Sequence, residues 1–278
     1  MTLDEPGTSL PAAPPIAEQV LGDRLDAMEH YVAILATRGV DHGLVGPREV
    51  PRLWERHILN CVVIGDLIDE GATVADVGTG AGLPGLVLAV ARPDLHLHLI
   101  EPLQRRVTWL EGAVEELGLE NVTIHRGKAQ AFWGEVEADV VTSRAVARIG
   151  ELVAWCLPLL RSGGEIVAIK GASAAAEVEQ DHAALVAAGM QAVDVETVGE
   201  AVVEVPTTVV RVRGTARKTK RSARAERRGA AASKGHGADR RAARAQDSSK
   251  DYSGSRGRHG GSRGMDAGPG SRERRGRS

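Results

Sequence analysis

Cysteine is scarce in this chain: Cys61 and Cys156 are the only two, far apart and outside any Cys-x-x-Cys pair. That excludes a disulfide framework or a zinc site, and both read as small core residues. No group of histidines, cysteines and carboxylates has metal-ligand spacing, so no metal is expected. No apolar run approaches the roughly 20 residues needed to cross a bilayer, which excludes a membrane-spanning helix. Residues 1–15 lack the basic segment and apolar core of a secretory signal. They are Pro-rich and read as a disordered N-terminus. The expectation is a cytoplasmic protein with no membrane partner.

Another absence divides the chain. Residues 214–278 contain no Val, Leu, Ile, Phe or Trp. Such a segment cannot bury enough apolar area to offset the entropy of ordering, so it reads as a disordered Arg/Gly/Ser-rich tail. It holds 19 Lys and Arg against 6 Asp and Glu, a formal charge of +13. Residues 1–213 hold 16 against 31, a charge of −15, so the overall −2 conceals two opposite regions. Two readings of the tail stand: an RNA-binding arm, or a solvated extension. The first is preferred, because an acidic domain needs some means of approaching a polyanion.

What is present begins with Thr73-Val74-Ala75-Asp76-Val77, an apolar run ending in a glycine-dense turn, Gly78-Thr79-Gly80-Ala81-Gly82-Leu83-Pro84-Gly85. Leu86 to Ala91 follow in a helical pattern. Strand, tight loop and helix make the first half of a nucleotide-binding βαβ unit. Glycine permits positive φ and removes the Cβ atoms that keep a ligand from the backbone. The helix start offers N–H groups to an anionic part of the ligand. Residues 80–85 satisfy the dinucleotide pattern G-x-G-x-x-G, a weak match alone. The longer string Asp76-x-Gly78-x-Gly80-x-Gly82 fits better the loop of S-adenosylmethionine-dependent methyltransferases. The next apolar run ends in Glu101, placed to accept hydrogen bonds from ribose hydroxyls in either ligand class. Asp76 can serve the loop amides or a ligand amino group, and both readings stay open.

Ile16 to Arg38 and Pro47 to Ile68 have helical apolar spacing and form an N-terminal helical segment, residues 16–70. They are expected to cover one end of a sheet. Residues 71–213 then alternate: strands near 73–77, 95–100, 122–126, 138–143 and 165–170, each followed by a helical stretch, and two closing runs, 192–198 and 203–212, that read as an antiparallel pair. This pattern predicts an α/β, Rossmann-like domain with a mostly parallel seven-stranded sheet. Ligands in such sheets bind at the carboxyl ends of the strands, which brings Gly78, Glu101, residues 128–130, Arg144 and Lys170 to one rim.

Arg56-His57-Ile58-Leu59-Asn60-Cys61, Asp76 to Gly85, Ser143-Arg144-Ala145 and Ala168-Ile169-Lys170-Gly171 occur in this order. In motifs and spacing, residues 16–213 resemble the bacterial RsmG (glucose-inhibited division protein B) family. That resemblance implies the class I S-adenosylmethionine-dependent methyltransferase fold. It also implies the activity of a 16S rRNA guanine-N7 methyltransferase, acting at position 527. The cofactor implied is S-adenosylmethionine; the partner is 16S rRNA in the small ribosomal subunit or an assembly intermediate, and the base is expected to be exposed from its loop. A monomer is expected. Carried onto this sequence, the family's cofactor contacts fall on Gly78, Leu83, Ala129, Gln130 and Arg144, joined by Glu101, Gly80 and Asp76. Two departures stand out: Asn60-Cys61 replaces Asp-Ser, and the hairpin near 198–206 is shortened.

Guanine N7 has a lone pair and no proton, so no acid–base pair is needed and none is evident. Arg144, Lys170 and His57 are the substrate-positioning candidates. Arg52, Arg56 and Lys170 are the RNA-binding candidates; their spacing puts the two arginines on one face of the second N-terminal helix. A salt-bridged helix against Glu49 and Glu55 is the alternative. The four tryptophans read as core. The residues by themselves leave open a methyltransferase for small molecules or proteins, a nicotinamide-dependent oxidoreductase, and a non-catalytic nucleotide-binding module.

Overall fold

The computed structural model describes residues 10–215. The readings made for residues 1–9 and for the basic tail from 216 onward lie outside the described residues.

The N-terminal segment is helical but irregular. Helix α1 (Pro15–Leu21) starts on a proline, whose missing N–H costs nothing at a helix start. Helix α2 (Leu25–Ile34) runs into a π turn (Leu35–Gly39). The second stretch is not one amphipathic α-helix. It is a 3-10 turn (Pro47–Arg52), a π turn (Leu53–Ile58), a short α3 (Leu59–Val62) and another 3-10 turn (Val63–Leu67). Pro51 has no N–H for the α ladder, and the chain changes pitch around it. Pro11 O accepts a hydrogen bond from buried Trp54 Nε1 at 3.1 Å, tying the chain ahead of α1 to this segment.

The remaining elements are β1 (Thr73–Val77), α4 (Gly85–Ala91), β2 (His96–Glu101), α5 (Gln104–Glu116), β3 (Val122–Arg126), β4 (Ala138–Arg144), α6 (Ile149–Cys156), β5 (Leu160–Lys170), α7 (Ala174–Ala188), β6 (Met190–Val198) and β7 (Thr207–Gly214). They build a seven-stranded sheet in the order β3-β2-β1-β4-β5-β7-β6. The first five strands are parallel; β7 runs antiparallel to β5 and β6. β7 starts later than residue 203, immediately after Pro206, which cannot donate to a ladder.

Helices cover both faces, so β1 is buried along nearly its whole length rather than alternating. On one face α4, α5 and the N-terminal segment share a core that includes Met28, Tyr31, Leu53, Ile58, Leu86 and Leu88. The N-terminal segment therefore packs across this face, beside α4, rather than only closing one end of the sheet. On the other face α6 and α7 pack Ile149, Val153, Cys156 and Leu185 against Ala75, Val141 and Ile166. α7 stops at Gly189, whose φ of 115° turns the chain while its N–H bonds back to Leu185 and Val186. The strand order reverses between β1 and β4, and such a switch point opens a crevice at the carboxyl ends.

Candidate active site

Val77 delivers the chain to the glycine loop at that crevice. Gly78 has φ 72°, and a Cβ there would lie 2.7 Å from Val146 Cγ2. Both facts require glycine. The loop is held from three sides. Gly78 N–H donates to Ile100 O at 2.8 Å. Fully buried Tyr31, from α2, donates its hydroxyl to Ala81 O at 2.8 Å. Asp76 Oδ2 accepts from Gly85 N–H at 2.8 Å, close enough that a Cβ on Gly85 would lie 2.7 Å from that oxygen.

Asp76 is wholly buried and lies behind the loop, not in the cavity wall. Burial raises its pKa to about 6 against the lowering effects of the Thr79 hydroxyl and the Gly85 amide. Asp76 Oδ1 and Thr79 Oγ1 nevertheless have no partner at regular hydrogen-bond geometry. Of the two readings left open, the loop-supporting one matches this geometry. At the helix start, expected to offer N–H groups to an anion, Gly85 N–H is engaged by Asp76 and Leu86 N–H by Gly82 O.

A cavity of about 730 Å³ opens in front of the loop. It is lined by Gly78, Gly80, Leu83, Glu101, Ala129, Gln130 and Arg144, the expected cofactor residues other than Asp76. Strand ends and the turn after β3 bring them together from across the sequence. Glu101, only 1% exposed, receives Gly80 N–H on Oε2 at 3.1 Å and Leu103 N–H on Oε1 at 3.0 Å. Its carboxylate is thereby oriented before any ligand arrives. Sequence reasoning missed Leu44, Thr79, Leu103, Arg106, Val146 and Trp155, which share the wall. Thr79 and Leu103 adjoin motif residues and could have been found; Leu44 and Trp155 carry no local signal. Trp133 Nε1 donates to Trp155 O, which fixes that part of the wall.

The Ser143-Arg144-Ala145 run turns the chain out of the sheet. Ser143 Oγ donates to Val77 O at 2.8 Å, joining β4 to β1 at the crevice. Ala145 follows with φ 55°, sparsely populated for a residue with a Cβ. Between them Arg144 donates Nη2 to His57 Nδ1 at 2.8 Å and to Arg56 O at 3.1 Å, and Nη1 approaches Cys61 Sγ at 3.6 Å.

A second cavity, about 780 Å³, adjoins the first and shares His57, Arg144 and Ala145 with it. Arg52, Arg56, Glu49 and Asn60 line it from the N-terminal segment, Lys170 from β5, and Val203 to Thr208 from the closing hairpin. Arg52 and Arg56 reach it from unlike turns, not from one α-helical face. Arg56 lies 3.4 Å from Glu49, so part of the salt-bridged alternative is present. Lys170 reaches this cavity already partnered. Its ammonium donates to Ala147 O at 2.7 Å and pairs with Glu177 at 2.9 Å, with 10% of the side chain exposed. Two of its three N–H donors are thus engaged. Asn60 needs no charge in its place: its Oδ1 accepts from Thr207 Oγ1 at 2.6 Å and its Nδ2 donates to Arg56 O.

Among the described residues no group of three or more His, Cys, Asp or Glu could hold a metal ion, and no helix is long and apolar enough to cross a membrane. Residues 24–205 match the family model for rRNA small subunit methyltransferase G. A ribosomal RNA small subunit methyltransferase G of Pseudarthrobacter chlorophenolicus is 56% identical over 193 residues, 69% of this chain and 89% of that protein. Its counterpart in Corynebacterium efficiens is 51% identical over 212 residues, 75% and 91% of the two chains. The one in Rhodococcus jostii is 52% identical over 196 residues, 69% and 86%. With the sheet, the glycine loop and the paired cavities already described, these matches show that the chain belongs to the rRNA small subunit methyltransferase G family.

Proposed function

We propose that the chain transfers a methyl group from S-adenosylmethionine to N7 of a guanine in 16S rRNA, in the cytoplasm, with the small ribosomal subunit or its assembly intermediate as partner. The observation that carries this reading is the pair of cavities meeting at His57, Arg144 and Ala145. One suits a nucleoside cofactor, the other a polar base, and the wall between them is where transfer would occur. The names of the relatives support the same reading.

The residues present fit the cofactor. Glu101 offers a pre-oriented carboxylate to a ribose diol. The glycine loop leaves room for the amino-acid end. Ala129 and Gln130 would flank the adenine, with Leu83 and Leu103 as apolar contacts. S-adenosylmethionine, once bound, supplies a methyl group made electrophilic by its sulfonium. The protein then has to bring the acceptor nitrogen into line and keep water away.

No base is required, because N7 carries no proton. His57 is not placed to act as one, since both of its ring nitrogens have partners, Arg144 on Nδ1 and Glu49 on Nε2. Positioning can account for about 7–11 kcal/mol of barrier lowering in favourable cases. Arg144 would hold the base edge, and Arg52 and Arg56 would face the RNA backbone around it.

Calorimetry with S-adenosylmethionine and NAD(H), followed by transfer of labelled methyl to unmethylated 16S rRNA, tests the reading. Binding of the first alone and labelling of the rRNA are expected. Binding of NAD(H), or cofactor binding with the label going only to protein or small molecules, would overturn it.

A further inference from the structure

Glu49 lies outside the cofactor cavity, on the 3-10 turn that precedes the π turn carrying His57. Its Oε2 is 2.9 Å from His57 Nε2, and its Oε1 is 3.4 Å from Arg56 Nη1. On the far side of the ring, Nδ1 is 2.8 Å from Arg144 Nη2. A guanidinium has only donors and an ionised carboxylate only acceptors. The imidazole between them therefore satisfies both in a single state: neutral, with the proton on Nε2 and the lone pair on Nδ1. Protonation of Nδ1 would set one N–H against another and break the contact to Arg144. Burial and the charge of Arg144 hold the His57 pKa below its ordinary value, against the opposing effect of Glu49.

We propose that Glu49 is a positioning residue for methyl transfer, holding the Arg144 guanidinium through His57 in the wall common to both cavities. The proposal rests on the methyltransferase reading above. Arg144 has five N–H groups, and those not facing His57, Arg56 or Cys61 are available to a substrate. A donor aimed at purine O6 aligns the base while leaving the adjacent N7 lone pair free. Glu49 also sets a carboxylate beside the cation Arg56, on a wall of the second cavity, where a base would become cationic as the methyl arrives. A merely structural role, tying the 47–52 turn to the 53–58 turn, would affect stability but would not act through Arg144.

The full-length protein and its Glu49→Ala, Glu49→Gln, Arg144→Ala and Glu49→Ala/Arg144→Ala variants separate these roles. Single-turnover transfer to unmethylated small subunits gives rates, calorimetry gives S-adenosylmethionine affinity, and ¹⁵N NMR of the imidazole ring gives the His57 tautomer. Glu49→Ala is expected to slow transfer about 10- to 100-fold, the scale of a small misplacement at the reacting atoms. Cofactor Kd should change by less than about twofold, the signature of an interaction that matters only in the reaction step. Glu49→Gln should recover most of the rate, because its carbonyl still accepts from Nε2. In the Arg144→Ala background Glu49→Ala should add almost nothing. Losses that multiply in the double variant, or a Gln variant as impaired as Ala, would overturn the proposal. The ring spectrum decides even if Glu49→Ala does not fold: wild-type His57 must show only the Nε2–H form near neutral pH, and an Nδ1–H or protonated ring would refute the geometry. Failure of the wild type to methylate rRNA would refute the proposed function instead, and is visible before any variant is compared.

Discussion

Replacing Glu101 with Gln removes the charge from the end of β2 while keeping the side chain's shape. In the native site both carboxylate oxygens already accept a loop amide, from Gly80 at 3.1 Å and from Leu103 at 3.0 Å, and each keeps a lone pair for a ribose hydroxyl. Glutamine can accept at only one of these positions and turns an NH₂ toward the other amide. A hydrogen bond to a charged group is worth about 1.5–3 kcal/mol, so losing it from the cofactor should raise Kd by about 10- to 150-fold. The unpaired amide also costs stability: a penalty of about 1–3 kcal/mol lowers Tm by several degrees for a domain of this size. Calorimetry with S-adenosylmethionine at a temperature where both proteins are folded isolates the first effect, and a melt without ligand measures the second. An unchanged Kd with a lowered Tm would show that Glu101 only ties the loop. An unchanged Kd and Tm would refute the hydrogen bonding itself.

Asp76→Asn should stabilise the protein relative to wild type at high pH. The native pKa of about 6 lies above the unfolded value of 3.8, so the native state binds more protons between them. The stability this group contributes is therefore present below pH 3.8 and lost as pH rises through 6, and the difference in Tm between variant and wild type should grow over that window. A constant difference from about pH 4 to 8 would contradict a buried carboxylate with a raised pKa. Gly85→Ala drives a Cβ into Leu99 Cδ2, and crowding of that kind costs about 1–3 kcal/mol by chemical denaturation. Wild-type stability would show that the loop has slack. Tyr31→Phe removes the buried hydroxyl that holds Ala81 and should cost about 0.5–1.5 kcal/mol together with a weaker cofactor KM; an unchanged KM would separate the helix from the loop. Deleting residues 214–278 removes a charge of +13 and should flatten the salt dependence of RNA binding, by about 0.7 in log–log slope for each phosphate on single-stranded RNA that the tail would otherwise neutralise. An identical slope would make the tail a bystander.

The legible parts of this fold were those in which one element repeats one period. Alternating apolar runs and helices from Thr73 to Val212 give the sheet because the inner strands β1 and β4 are largely buried on both faces, while the edge strands β3 and β6 are only partly covered. Residues 35–67 were not legible in the same way. Apolar spacing shows that the stretch coils, but Gly39, Gly46, Pro47 and Pro51 shift the pitch between 3-10, π and α geometry, and periodicity does not report which turn wins. The site divides similarly. Glycine positions and Glu101 can be read because their chemistry is local to one strand end. The ion pair of Lys170 was not legible, because Glu177 lies one turn into a helix whose docking the sequence does not encode locally. His57 and Arg144 lie 87 residues apart, and their contact exists only because the N-terminal segment folds back over the sheet. The resemblance to a family supplied the link between those motifs that spacing alone does not.

The central claim is that the two cavities pass a methyl group from S-adenosylmethionine to one guanine. The most direct test incubates the protein with labelled S-adenosylmethionine and undermethylated small ribosomal subunits and maps the label by mass spectrometry. A single 7-methylguanosine in 16S rRNA, lost in Arg144→Ala, is the expected result. Label on another atom or at many sites, or none despite measured cofactor binding, would contradict it.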